Sequence, residues 1–135
     1  MPIYKINDFP SVIFGADNPS QTREVRMLFS PELGNEDNLT MVTVVLRPGV
    51  TADEHIHTDT VEYMYFDKPG IALLDGVKYD VAAHSFFQAP IGHSHACGNE
   101  GTEDLNLVCF FVPAVKPYGK FFELIETSKE YLEKK

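Results

Sequence analysis

The sequence predicts an all-β fold, an antiparallel barrel or sandwich with a short C-terminal helix. Three observations carry that reading. Short β-branched and aromatic runs recur through the middle of the chain, turn signals separate them at even intervals, and no long helical period lies between them. At 135 residues the chain predicts one domain over 1–135, large enough for a core without disulfide or metal staples. Ten Phe and six Tyr, in a composition 44% hydrophobic and 23% charged, provide bulky side chains for its interior.

Taken in order, the first 40 residues hold two expected strands, near Ile3–Ile6 and Val25–Phe29, separated by a polar loop from Gly15 to Ser20. Met41 to Leu46 is β-branched and stops at Arg47-Pro48-Gly49. Tyr63 to Phe66 ends at Asp67-Lys68-Pro69-Gly70. Ile71 to Leu74 ends at Asp75-Gly76, a hairpin signal from which Val77 to Val81 returns. Ser85 to Ala89 ends at Pro90-Ile91-Gly92, and His95 follows on a further strand. Leu105 to Val112 reads as a strand, with Val108, Phe110 and Val112 alternating with Leu107, Cys109 and Phe111 as if buried on both faces. Thr127-Ser128-Lys129-Glu130 has the form of a capping box. It predicts a helix over about 127–134, with Lys134 and Lys135 at its negative end.

Charge and composition exclude several classes. Eleven Lys and Arg against twenty Asp and Glu give a net charge of −9, which repels nucleic acids and anionic membranes. The start, Met1 to Asp8, lacks the apolar core of a signal peptide. The longest apolar stretch, Leu107 to Val115, is far short of the roughly 18 residues that a membrane span requires. Two cysteines, Cys97 and Cys109, are too few for a disulfide framework and are expected to be reduced, which points to the cytoplasm.

The chemistry concentrates in His55-Ile56-His57. Residues two apart on a strand share a face, so both imidazoles are expected to converge on one point. Glu62 follows after enough chain for a turn, and two imidazoles with a carboxylate suit iron, manganese, nickel or zinc. Farther on, Pro90, Gly92, His95 and Asn99 form a second group.

In their spacing, Gly49, His55, His57, Glu62 and Gly70, followed by Pro90, Gly92, His95 and Asn99, resemble the two motifs of the cupin family. Gly70 comes one residue late, and the leading glycine of the second motif is replaced by His84. The motifs span 49–70 and 84–99. The resemblance implies a double-stranded β-helix, the jelly-roll barrel of the cupins, usually dimeric, with a metal deep in its mouth. It also implies the ligand set: His55, His57 and His95 as imidazole ligands and Glu62 as the carboxylate. Such a set leaves coordination positions open for water, dioxygen or a bidentate substrate.

Other polar residues have plainer readings. His93 forms a second His-x-His with His95, but the template spacing selects His95 and leaves His93 in a loop. His84 reads as a solvated turn residue and Asn99 as a turn stabiliser. Alternation places Met64 and Phe66 on the face of Glu62, and Tyr63 and Tyr65 on the other as packing residues. Tyr79 is another phenol that could reach a metal. Gln88, Arg26 and Arg47 could orient a substrate or simply occupy surface, and Cys97 shares the face of His95.

Two functions follow from the resemblance. One is a metal-dependent enzyme of oxygenase, lyase or isomerase type, acting on a small organic acid, ketone or sugar-like substrate, with iron ahead of manganese, nickel and zinc. The other is a non-catalytic small-ligand-binding cupin. No catalytic residue beyond the metal ligands is assigned. A homodimer is expected, with the Ile3–Ile6 strand covering a partner's sheet edge.

Overall fold

A computed structural model describes residues 3–134 of the chain. It contains nine strands and one helix: β1 (Val12–Phe14), β2 (Arg23–Phe29), β3 (Thr40–Leu46), β4 (Val61–Phe66), β5 (Gly70–Leu74), β6 (Val77–Val81), β7 (Ser85–Ala89), β8 (His95–Gly98), β9 (Leu105–Val112) and α1 (Phe121–Glu133). Six strands form one antiparallel sheet in the order β1-β2-β3-β9-β4-β7, and three form a second in the order β6-β5-β8. The double-sheet, all-β architecture expected from the sequence is therefore present.

Alternation builds the core. Along β4, Glu62, Met64 and Phe66 turn inward while Val61, Tyr63 and Tyr65 stay half-buried. β4 pairs with β9 so that Met64 stands opposite Cys109 and Phe66 opposite Leu107. Beside them β3 adds Val42 and Leu46, and β2 adds Val25 and Met27, to one apolar interior. The β5–β6 hairpin turns at Asp75 and Gly76 with φ of 50° and 80°, the left-handed pair that a two-residue turn requires.

Three expectations change. Residues 3–5 form no strand, and Ile6–Asp8 is a single 3-10 turn. Asn7-Asp8 favours turns, and Pro10 cannot donate to a ladder. Tyr4 instead packs its ring against Phe9 and Phe29, and the Arg26 Nε–H donates to the Phe9 carbonyl. The edge-strand argument for dimerisation loses its basis with that strand.

The helix begins at Phe121, six residues ahead of the expected Thr127. Phe121, Leu124 and Ser128 are its buried positions, and that stripe nucleates it earlier than the capping box would. Thr127-Ser128-Lys129-Glu130 lies inside the helix. Finally, β9 is buried on one face only: Leu105, Leu107, Cys109 and Phe111 are interior, whereas Asn106 and Val112 are exposed. Val108 and Phe110 occupy the outer face, half-covered by a second cluster of Phe9, Leu28 and Met41 with Tyr131 and Leu132 of the helix.

Candidate metal centre

The two histidine stretches are joined backbone to backbone before any side chain is considered. His55 and His95 form an antiparallel bridge, each donating its N–H to the other's carbonyl at 3.0 and 2.9 Å. The Ala52 N–H donates to the Cys97 carbonyl and the Gly92 N–H to the His57 carbonyl, at 2.9 and 2.8 Å. His55-Ile56-His57 thus lies in an extended but irregular segment and not on a regular strand. The period of two survives: His55 and His57 face inward while Ile56 is exposed.

His55, His57, Glu62 and His95 bring one donor atom each to within 4.8 Å of one another. Glu62 Oε1 is the centre of the group, 2.9 Å from Nε2 of His95, 3.4 Å from Nε2 of His57 and 3.9 Å from Nε2 of His55. Donors bound to one ion through bonds of ~2.1 Å lie roughly 3 Å apart at right angles and roughly 4 Å apart when opposed. The three separations from Glu62 fall in that range. Glu62, His57 and His95 are buried and His55 is partly open, which gives the group one accessible side.

The hydrogen bonds around the rings leave an electrostatic demand. The Nδ1 of His55 meets the Asp53 carbonyl at 3.0 Å, and that of His95 meets the His93 carbonyl at 3.2 Å. A carbonyl only accepts, so each Nδ1 carries a proton and each ring turns its Nε2 toward the carboxylate of Glu62, that of His95 at a hydrogen-bond distance of 2.9 Å. The buried Nε2 of His57 has no hydrogen-bond partner among the described residues. Ring nitrogens gathered around a carboxylate need protons or a cation between them. Burial alone would raise Glu62, but the contacts from His55, His57 and His95 outweigh it and hold the carboxyl well below the usual carboxylate range. For His55, burial lowers the affinity for a proton, yet Glu62 and the Asp53 carbonyl overcome this and hold the imidazole above its ordinary 6.5. The group therefore fits a divalent cation: it offers three imidazoles and an ionised carboxylate, with two ring orientations fixed by backbone carbonyls.

A cavity of ≈ 400 Å³ opens above the group. Val42, Leu46 and Leu107 are among its apolar walls, while Arg23, Tyr118 and Lys120 bring polar groups to it. Tyr118 stands with its ring 6.4 Å from that of His57. Burial and the charges of Glu62 and Asp53 raise its phenol, so it stays protonated and able to donate.

No family model and no curated protein matches the sequence. Solved structures do. A predicted oxalate decarboxylase from Thermotoga maritima superposes with a TM-score of 0.71 at 18% identity, over 82% of this chain and 98% of that one. KdgF from Halomonas sp. gives 0.60 at 17% identity, over 79% and 96%. A Cupin 2 conserved barrel domain protein from Salinispora arenicola gives 0.59 at 18% identity, over 78% and 83%. The chain has the cupin fold.

Within this cupin fold the two motifs meet, as their spacing predicts. Gly70 is needed for close approach, since a Cβ there would come within 2.8 Å of the Leu105 and Phe66 side chains. His84, at the cupin glycine position, has φ of 61°, the left-handed backbone that explains why glycine is usual there. Its ring is exposed and bonds to the Tyr65 hydroxyl. Asn99 is the turn stabiliser expected: its amide donates to the carbonyls of Leu46 and Glu103, both at 2.8 Å, and its oxygen accepts from Gly101 N–H.

Several candidates stand away from the centre. His93 is exposed and pairs with Asp75 at 2.6 Å. Gln88 is exposed and bonds to the Tyr63 hydroxyl. Tyr79 lies exposed on β6, Arg26 is held by Phe9, and Arg47 pairs with Glu24 and Asp104 on the surface. Cys97 does face the cavity, with Sγ 3.2 Å from the Met64 sulfur. Burial, followed by the charge of Glu62, pushes the Cys97 and Cys109 thiols well up, so both are neutral.

The sequence reading missed Arg23, Tyr118 and Phe14. Arg23 begins β2 and Phe14 ends β1, and their register pairing brings them together at the cavity wall. Turn chemistry at Gly15 to Ser20 marks a β1–β2 connection, which is the one signal that could have found the pair.

Proposed function

We propose that this protein is a metal-dependent enzyme whose single divalent transition metal is held by His55, His57, Glu62 and His95. The carrying observation is the buried Nε2 of His57, which lacks a hydrogen-bond partner and faces an ionised Glu62 beside two further imidazoles. Iron is the first candidate, followed by manganese, nickel and zinc, because a set of three imidazoles and one carboxylate suits all four. When bound, such an ion supplies a Lewis acid and open positions for substrate oxygens or dioxygen.

The chain's own residues do the rest. The Asp53 and His93 carbonyls orient two imidazoles, and the apolar walls of β3 and β9 exclude water. Tyr118 presents a protonated phenol to a ligand in the cavity, a donor for an oxygen that gains charge. The cavity suits a small organic acid, ketone or sugar-like molecule. One structural neighbour, a predicted oxalate decarboxylase, supports chemistry on small acids. One domain over 1–135, a homodimer and a cytoplasmic setting complete the proposal, the last on the two unpaired cysteines.

The test is turnover. Protein loaded separately with Fe(II), Mn(II), Ni(II) or Zn(II) is incubated with a panel of small acids, ketones and sugars, with and without oxygen, and substrate loss is followed by NMR. Conversion that depends on metal and is lost in His57→Ala supports the enzyme. Tight binding by the loaded protein with no conversion of any panel member supports the binder instead.

A further inference from the structure

We propose that Arg23 anchors the carboxylate of a small organic acid in the cavity. This narrows the substrate class from acid, ketone or sugar to acid, and it rests on reading that cavity as the substrate site.

Arg23 lines the same cavity as the histidines, with only 12% of its side chain exposed. Its guanidinium lies 5.7 Å from the centre of the Phe14 ring. Both of its polar contacts use one nitrogen: Nη1 meets Asp53 Oδ1 at 2.9 Å and donates to the Gln21 carbonyl at 3.0 Å. Neither Nε nor Nη2 has a partner among the described residues, and neither is among the atoms sealed from solvent. Arg23 lines the cavity, and these are the N–H groups it has left for a ligand, in the planar fork that matches a carboxylate.

A purely structural role explains this poorly. Asp53 is half exposed, and a bridge to an exposed carboxylate contributes only about 0–1 kcal/mol. That bridge and the Gln21 contact both use Nη1, and so give no account of why Nε and Nη2 meet no protein acceptor among the described residues. Asp53 also ties the anchor to the metal centre: its side chain holds Arg23 while its backbone carbonyl holds the His55 ring. Anchor and histidines are thus one residue's reach apart, which suits a small ligand bridging them.

Charge points the same way. Arg23 and Lys120 line the cavity beside Asp17, Asp53 and Glu62. A divalent cation among the histidines turns that small acidic excess into a positive one, so an anion is favoured in a protein whose net charge is −9.

Isothermal titration of the full chain with malonate, succinate and neutral succinamide tests the assignment, with metal content measured beforehand on each sample. Arg23→Gln and Asp53→Asn both break the Arg23–Asp53 bridge, yet they separate the two roles. An anchor predicts that Arg23→Gln weakens acid binding by about 10- to 100-fold, while Asp53→Asn, which removes the neighbouring charge and keeps the guanidinium fork, weakens it by several-fold less. Arg23→Lys, which keeps the charge without the fork, is expected to fall between and covers the case in which Arg23→Gln folds poorly. Equal weakening in Arg23→Gln and Asp53→Asn, succinamide binding as tightly as succinate, or no acid binding would overturn the proposal. If the chain takes up no metal and Arg23→Gln still differs from Asp53→Asn toward succinate, the metal reading fails and the anchor stands.

Discussion

At the inner end of the cavity, four donors come from 55–62 and from His95, stretches that pair through their own backbones. At the outer end, Phe14 and Arg23 come from the first two strands, and Tyr118 and Phe121 from the approach to the helix. His55, His57 and Glu62 sit at short fixed spacings, and the backbone bridge between His55 and His95 adds the fourth donor. The outer residues meet only because β1 pairs with β2 and the helix packs against both. A metal centre needs fixed donors within a few ångströms of one another, whereas a ligand wall can be assembled from any strands that reach it. Under the proposed function, the chemistry belongs to the inner end and the choice of ligand to the outer.

The largest expected effect removes the difference between the two ends. Phe66 is fully buried in the apolar interior, and Phe66→Ala should cost about 3–5 kcal/mol in urea unfolding. Metal uptake and ligand binding should then fall together. Asn99→Ala is more selective. It removes both amide hydrogen bonds and the acceptor for Gly101 at the end of β8, and should cost about 2–3 kcal/mol by the same measurement, weakening metal uptake more than the outer wall.

A pH series sharpens the inner end. His55 holds its proton above the ordinary 6.5 in the metal-free protein, so that interaction stabilises the fold below 6.5 and is lost as pH rises through the raised value. Binding a cation must displace that proton, so metal affinity is expected to rise with pH across the same window. Cobalt titrations at stepped pH check this, and an affinity flat with pH would show that His55 is not a ligand. The smallest effect belongs to the outer end: Tyr118→Phe should change unfolding free energy by less than about 0.5 kcal/mol, since its hydroxyl bonds to no described residue, while altering ligand binding.

The same division explains what was legible in the sequence. Turn chemistry at Pro48-Gly49, Asp75-Gly76 and Pro90-Ile91-Gly92 punctuates the strands as expected, because those residues impose backbone geometry locally. His55 and His57 were legible because a period of two holds even in the irregular segment that carries them, and Glu62 and His95 through the spacing they share with the cupin motifs. Where packing overrides local preference, the reading failed. Thr127-Ser128-Lys129-Glu130 resembles a helix start, but the burial of Phe121 and Leu124 begins the helix earlier. Ile3-Tyr4-Lys5-Ile6 has strand-like residues, yet Tyr4 gains more from the rings of Phe9 and Phe29 than from a ladder. Arg23 carried no spacing signal, because its partners Asp53 and Phe14 are brought to it by tertiary pairing.

The four inner donors are expected to hold one divalent metal. Metal content of protein purified without oxygen, measured by plasma mass spectrometry beside the His57→Ala/His95→Ala double variant, tests it most directly. The account predicts close to one transition-metal ion per wild-type chain and almost none in the double variant at equal folding. A folded wild type that stays empty after incubation with iron, manganese, nickel and zinc, or a double variant that binds as much as wild type, would contradict it.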